Sequence, residues 1–354
     1  MEQVFKDLKV VEIASVLAGP SVGMFFAELG AEVIKVENKK SGGDVTRSWK
    51  LPTEPKGVNV SAYFCSVNYN KKYVFCNLFD DHEIKNVKAL INQADIVILN
   101  FKKGDDVKFG LDYETLKKNN PKLIYATING FGEQSDRVAY DLILQAETGF
   151  MSMNGTPTSG PVKMPVALID VLAGHQLKEG ILVALYERQL SGKGKKVTVS
   201  LYDSAVASLA NQATNWLMGN HVAKPIGSKH PNIAPYGELF KTKDGKLITF
   251  AIGSDKQFKN LCQVLHLDDL TEDERFVNNV SRVKNREVLE ELLKKEISNY
   301  SSVELVPKLH QLFVPVAKIN SIDEVFENED AQKLILSETI DGIETKRVKT
   351  VVFK

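Results

Sequence analysis

The sequence predicts an α/β fold, with an open, mostly parallel, doubly wound sheet in its first part and a smaller α+β domain after it. Three observations predict this. Short runs rich in Val and Ile recur up to residue 200, and helical spacing follows most of them, an alternation that builds parallel sheets. The runs are nearly continuous in apolar character, as strands covered on both faces are. Beyond about residue 205 the texture changes to a breaker-rich connector, one hairpin and charged amphipathic helices.

The elements can be taken in order. Residues 8–14 (LKVVEIA) read as a buried strand, 18–21 (AGPS) as a turn, 22–29 as a helix closed by Gly30, and 31–37 (AEVIKVE) as a second strand. Strands follow at 73–78, 96–101 (IVILNF) and 123–128 (LIYATI), with helices at 81–92 and 113–119. Gly130-Phe131-Gly132 is a turn, a helix opens near Leu142, and 154–160 is a loop. A long helix over 171–189 leads to a strand at 196–200. Then come a helix at 204–218, the connector 227–235 (GSKHPNIAP), and strands 239–241 and 247–252 joined by Lys243-Asp244-Gly245. Amphipathic helices are expected at 256–265, 286–298 and 302–312, and the tail LSETIDGIETKRVKTVVFK alternates like a hairpin. Residues 1–205, rejoined by 330–354, are expected to form the large domain, and 206–329 the linker and small domain.

Bulk composition narrows the function. With 354 residues, 43% hydrophobic and 25% charged, the chain has an ordinary globular make-up. Its net charge of zero gives no electrostatic footprint for nucleic acid, so an anionic ligand would be met by local lysine clusters. Cys65, Cys76 and Cys262 are odd in number and lack paired spacing, which suits reduced thiols rather than a disulfide framework. No histidine forms a metal-ligand pair, and no metal is expected. The start MEQVFKDLK lacks an apolar signal region and no run approaches membrane-spanning length, so a cytoplasmic protein without a membrane partner is expected.

Two positions raise chemistry. Asp170 stands between the apolar segment 166–169 and the long helix, where a lone acid usually caps the helix N-terminus. Glu37 ends the first βαβ unit, where dinucleotide-binding folds place the acid that binds ribose hydroxyls. The turn, however, reads Leu17-Ala18-Gly19-Pro20-Ser21-Val22-Gly23, and it lacks the second glycine that lets backbone approach a pyrophosphate. The topology therefore stands without NAD.

Five segments carry a resemblance across nearly the whole chain. They are VLAGPSVGMFFAELGAEVIKVE, NYNKK at 68–72, LNFKKGDDVKFGLDYETLKKNNPKLIYATINGFG at 99–132, YDLILQAETG with VALIDVLAG, and GSKHPNIAPYGELFKTKDGKL. Together and in this order they resemble the class III (CaiB/BaiF-type) CoA-transferase family. The resemblance implies a Rossmann-like large domain that binds CoA, a small domain, and a homodimer of interlocked rings. It also implies transfer of CoA from an acyl-CoA donor to a carboxylic acid acceptor through an aspartyl anhydride and an aspartyl-CoA thioester. Asp170 matches the nucleophile, an acid that a helix dipole and first-turn N–H groups would favour as the carboxylate. Tyr140 and Asp141 match positions lining the acyl site, although each could simply be a surface residue opening the next helix. For CoA the resemblance points to Val16, Leu17 and Ala18, to Lys71 and Lys72, to Asn100, Phe101 and Lys102, and to Lys108. Lysine pairs are more often plain solvated charge.

Departures from the family pattern shape the expectation. Some members have Gln where this chain has Leu17, and Arg where it has Asn38. The segment YGELFKTKDGK lacks the glycine run of the oxalate-using members, so oxalate and formate are not expected. The end VVFK falls short of the returning segment of many members, which bears on the interlock. The related acyl-CoA racemases carry a His as α-carbon base where this chain has Tyr140, and His175 lies on another helix face from Asp170. Racemisation, CoA transfer within one dicarboxylate, and non-catalytic CoA binding are the alternative readings.

Overall fold

Unbroken apolar runs fill the middle of the main sheet in this computed structural model, which describes residues 3–353. β1 (Lys9–Ile13) and β2 (Glu32–Asn38) pair in parallel, and β3 (Lys71–Cys76) adds to β2. β4 (Ile96–Leu99) and β5 (Ile124–Asn129) extend the sheet on the other side of β1. A small antiparallel pair, β6 (Gly155–Thr156) and β7 (Gly160–Pro161), stands apart, and β8 (Lys196–Ser200) completes the sheet beside β5. The order β3-β2-β1-β4-β5-β8 is parallel throughout and reverses direction between β1 and β4. A crevice at the carboxyl ends of the strands opens at such a reversal.

The helices of this unit are α1 (Ala18–Glu28), α2 (Ala62–Cys65), α3 (Asp81–Asn92), α4 (Asp105–Phe109), α5 (Tyr113–Leu116), α6 (Asp141–Glu147), α7 (Phe150–Met153), α8 (Leu168–Ser191), α9 (Leu201–Ala207) and α10 (Ala210–Gly219). α1 and α8 cover one face, where Val22, Phe26, Ile169, Leu177 and Ile181 pack on Val10, Ile96 and Ile124. α3 and α5 cover the other, with Val87, Ile91 and Leu116 against Val11, Val97 and Tyr125. Val10 and Val11 thus serve opposite cores, as successive residues of a strand must.

The chain separates into two compact units, one running to Pro225 and resuming at Gln332, the other spanning Ile226–Ala331. In the second unit β9 (Tyr236–Lys241), β10 (Leu247–Ala251) and β11 (Val316–Lys318) form an antiparallel sheet. α11 (Asp255–Leu265), α12 (Asn279–Lys284), α13 (Arg286–Ile297) and α14 (Ser302–Gln311) follow β10, and Phe258, Leu261, Leu293 and Leu305 pack on Phe240 and Phe250. The turn between β9 and β10 places Gly245 at φ +79, a conformation glycine adopts freely. The returning hairpin β12 (Ile335–Ile340) and β13 (Ile343–Val348) belongs to the first unit, where Ile340 packs with Val60, Phe64 and Cys65. Among the described residues no helix is long and apolar enough to cross a membrane.

Several boundaries differ from the sequence-based expectation. Gly19, Pro20 and Ser21 form the first turn of α1 rather than a separate turn; first-turn N–H groups have no helical acceptor, so Pro20 is tolerated. β3 begins at Lys71, two residues earlier than the apolar pattern suggests. The helix expected over 204–218 is broken into α9 and α10, with Ala210 at φ +47. α10 stays with the first unit, beyond the expected boundary at 205.

Candidate active site

Asp170 is buried in the first turn of α8, and it does not cap that helix. α8 starts at Leu168, Ala167 occupies the cap position without a side-chain bond, and Asp170 is the third helical residue. The capping is done from another element. Asp141, the first residue of α6, accepts the Ile169 N–H on Oδ1 at 2.8 Å. Gln145, one turn along α6, donates to Asp141 Oδ2 at 2.6 Å and accepts the Met164 N–H at 2.8 Å. The segment that leads into α8 is therefore stitched to α6, and Asp141 positions the turn that carries Asp170.

The Asp170 carboxyl accepts no hydrogen bond from the described residues, and it is 8% exposed. Burial, and then the neighbouring Asp141 carboxylate, push its pKa up to about 7. The sequence-based expectation was an acid held ionised by the helix dipole. A dipole contribution of roughly 0.3–1 kcal/mol is outweighed by desolvation here. Near neutral pH the group is divided between its acid and its more basic, unsolvated carboxylate.

Tyr63 lies near enough to feel the Asp170 and Asp141 charges, Trp49 packs on Tyr63, and Tyr140 precedes Asp141 in the chain. Tyr140, at the N-cap of α6, is 57% exposed and makes no capping bond. Tyr63, half-buried on α2, stacks edge-on against Trp49 at 5.1 Å. Burial, and then the carboxylates of Asp170, Asp141 and Asp44, push the Tyr63 phenol up to about 12, so it remains a donor. Sequence reasoning missed Tyr63 and Trp49. A four-residue helix has no periodicity to detect, and its one local signal is the Ser61 cap, whose hydroxyl accepts the Phe64 N–H at 3.0 Å.

The turn from Val16 to Ala18 is brought against α8. A Cβ on Gly174, one turn after Asp170, would lie 2.5 Å from Ser21 Oγ and 3.3 Å from the Ala18 carbonyl, so only glycine allows this approach. The N–H groups of Leu17, Ala18 and Gly19 donate to none of the described residues. Val16 is in the left-handed region at φ +73, a genuine outlier for a β-branched residue that costs of order 1–3 kcal/mol.

Beside this turn a cleft of about 620 Å³ opens at the carboxyl ends of β1 to β4. Asn100, Phe101 and Lys102 line it together with Ser15, Asn38, Phe79 and Phe109. Asn100 also clamps Ser15, accepting its N–H at 3.1 Å and donating to its carbonyl at 2.9 Å. Phe79 and Phe109 pack edge-on at 5.1 Å, and the Lys108 ammonium lies 4.6 Å above the Phe79 ring at the rim. Exposed Lys102 and Lys108 thus accompany an aromatic wall, as an anionic ligand with a planar ring would require.

Lys71 and Lys72 do not join them. Lys71 is fully buried and spends its ammonium on Glu12 Oε2 (2.8 Å), the Pro20 and Val67 carbonyls (2.9 and 3.0 Å) and Asn68 Oδ1 (2.9 Å). Lys72 pairs with Glu32 at 2.5 Å, and both stand at the amino ends of β3 and β2, away from the cleft. Glu37 is unavailable to a ribose as well. Its carboxylate takes Arg47 Nε and NH2 at 2.9 and 2.7 Å. Beneath the cleft Lys35 bridges Glu12 (2.8 Å) and Asp44 (3.1 Å), so the buried charges Glu12, Glu37 and Asp44 are matched by Lys35, Lys71 and Arg47.

A family model described as CoA-transferase family III matches residues 5–353. The chain is 39% identical to succinate–glutarate CoA-transferase of Agrobacterium fabrum over 331 residues, 92% of this chain and 82% of that protein. It is 36% identical to succinyl-CoA:glutarate CoA-transferase of Homo sapiens over 331 residues, 91% of this chain and 73% of that protein. The crystal structure of a CaiB/BaiF family protein from Brucella suis superposes with a TM-score of 0.90 at 36% identity, covering 100% of this chain and 93% of that one.

Proposed function

The chain belongs to CoA-transferase family III, and on that premise we propose that it moves CoA between two small dicarboxylic acids of the succinate and glutarate type, with Asp170 as the covalent nucleophile. The observation that carries this reading is the Asp170 carboxyl itself: buried, without a hydrogen-bonding partner, and one helical turn from the glycine that admits the Val16–Ala18 turn. An acid used only to cap a helix would be spent on backbone N–H groups. This one is left unspent, and Asp141 does the capping.

The steps follow from that placement. One Asp170 carboxylate oxygen attacks the acyl-CoA carbonyl carbon, the C–S bond breaks, and CoA leaves as thiolate with a mixed anhydride on the enzyme. The thiolate attacks the Asp170 side of the anhydride. Its C–O bond breaks, the donor acid departs as carboxylate, and an aspartyl-CoA thioester remains. The acceptor carboxylate attacks that thioester, expelling thiolate again, and thiolate attack on the acceptor's acyl carbon restores Asp170. Tyr63, held as a phenol, and the free N–H groups of Leu17, Ala18 and Gly19 are donors on the side where oxyanions develop. Burial excludes the water that would hydrolyse anhydride and thioester.

CoA lies along the carboxyl ends of the strands in this reading, its nucleotide against Phe79 and Phe109 with Lys102 and Lys108 toward its phosphates. The strand order matches a Rossmann-like sheet, and a cytoplasmic homodimer with interlocked chains is the assembly proposed from the family. Tyr140 stands where the racemases carry a base, and a phenol of that exposure favours transfer. The test is one incubation in deuterated water with succinyl-CoA and glutarate, read by mass spectrometry, followed by hydroxylamine. Glutaryl-CoA and a hydroxamate at Asp170, both lost in Asp170→Asn, are expected. Transfer that survives Asp170→Asn would overturn the nucleophile, and deuterium gained by unchanged acyl-CoA without transfer would replace the reading with α-proton exchange.

A further inference from the structure

The strained turn at Val16 has a specific restraint. Asp44 presents both carboxylate oxygens to the Val16 N–H, at 3.4 and 3.3 Å, across 28 positions of sequence. Nothing about Asp44 is loose. Its own N–H donates to Glu37 Oε1 at 2.8 Å, Oδ1 accepts the Thr46 N–H and hydroxyl at 3.0 and 2.8 Å, and Lys35 lies 3.1 Å from Oδ2. The residue is 6% exposed. Burial raises its pKa, but Lys35 and the Thr46 donors outweigh that and hold it below the usual carboxylate value.

A β-branched residue stays at positive φ only where its surroundings over-determine it. On one side of Val16 the Asn100 amide clamps Ser15, and on the other Leu17 accepts the Ser21 N–H at 2.9 Å. Asn100 already holds the carbonyl end of the Ser15–Val16 peptide; the Asp44 carboxylate holds its N–H end, next to the strained φ bond, and connects the buried charge cluster to this turn. We infer that Asp44 is a positioning residue for CoA transfer: it holds the Val16 peptide in its left-handed conformation, so that the free N–H groups of Leu17, Ala18 and Gly19 keep their place beside Asp170. The inference rests on the transferase reading above. It assigns Asp44 no contact with substrate.

The experiment compares Asp44→Asn in two backgrounds, the wild-type chain and Val16→Gly. Glycine adopts φ +73 without strain, so the turn should no longer depend on the clamp. In the wild-type background Asp44→Asn should lower kcat by about tenfold or more, with KM for acyl-CoA within about threefold, because misplaced donors are felt in the transition state. In the Val16→Gly background the same substitution should cost less than about threefold. Thr46→Val removes one restraint on Asp44 while leaving the Lys35 pair intact, and should give a smaller kcat loss in the same direction even where Asp44→Asn folds poorly. Amide hydrogen exchange of the peptide containing Val16 gives a reading independent of turnover. It should accelerate in Asp44→Asn and in Thr46→Val while peptides of β4 and β5 keep their protection. Equal kcat losses in both backgrounds, or unchanged exchange at Val16, would overturn the assignment. If the wild-type chain transfers no CoA, the transferase reading fails, and the exchange result still decides whether Asp44 holds the turn.

Discussion

Replacing Asp170 by Asn should abolish a fall in stability that the wild-type chain shows as pH rises toward neutrality, while removing the proposed chemistry. A carboxyl raised from 3.8 to about 7 is worth roughly 4 kcal/mol between its two protonation states, at about 1.4 kcal/mol per pH unit. The sign follows from proton binding. Between pH 3.8 and about 7 the folded chain keeps the Asp170 proton and the unfolded chain releases it, so stability falls as pH rises through that window and is level above it. Asn has no proton to lose, and its curve lacks the fall. Its own burial cost is the same at every pH, so a difference of differences removes it. Urea denaturation at pH 5 and pH 8 should therefore show the variant gaining on the wild-type chain by roughly 3 kcal/mol, the part of the window that lies between those values. Groups elsewhere titrate in both proteins and cancel. Parallel curves, within about 0.5 kcal/mol over that range, would mean that Asp170 is solvated or partnered in solution, and the argument for an unspent nucleophile would fall with it.

Three other outcomes follow from the same geometry. The acid limb of kcat/KM should have an apparent pKa near 7, because the nucleophile must be ionised; Asp141→Asn, which keeps an acceptor for the Ile169 N–H and deletes the neighbouring charge, should move that limb to lower pH in the same titration. Gly23→Ala should lose about 2–3 kcal/mol in chemical denaturation, since its Cβ would sit 1.8 Å from Glu12 Oε2 and 3.3 Å from Lys71 Nζ in a cluster with no room to yield. Calorimetric titration with CoA should separate the lysines: Lys102→Ala weakens binding by about threefold to tenfold and reduces its salt dependence, whereas Lys72→Ala stays within about twofold.

Much of the fold was legible because its signals are local. The strand at 196–200 is β8 to the residue, and the DG turn closes the β9–β10 hairpin. What failed were boundaries that depend on tertiary partners. α1 begins at Ala18 because the turn before it is held by Asp44 and Asn100, residues far away in sequence. The long helix begins at Leu168 because Asp141 reaches over from α6 to cap it. A cap supplied through space leaves no mark beside the helix it serves, and Asp170, the one acid at the expected place, invited the wrong assignment.

The lysine pair shows the same limit in sharper form. Adjacent residues of a strand point to opposite faces, so Lys71 and Lys72 could never have served one ligand together from within β3. Lys71 turns inward to neutralise Glu12, and Lys72 turns outward to Glu32 at the far end of the sheet. Lys102 and Lys108, which follow β4 on a loop and a short helix, stand instead at the cleft at the carboxyl ends of the strands, where the proposed reading puts the CoA phosphates. Motif matching selected both pairs by sequence position alone. Burial separates them, because an ammonium with four buried partners cannot leave them for a phosphate without stranding Glu12, and Glu12 is the charge on which Lys35 and hence Asp44 depend. The motif's first lysine is thus linked to the Val16 turn through the contacts Lys71–Glu12–Lys35–Asp44, and on the inference above it bears on the site only by that route.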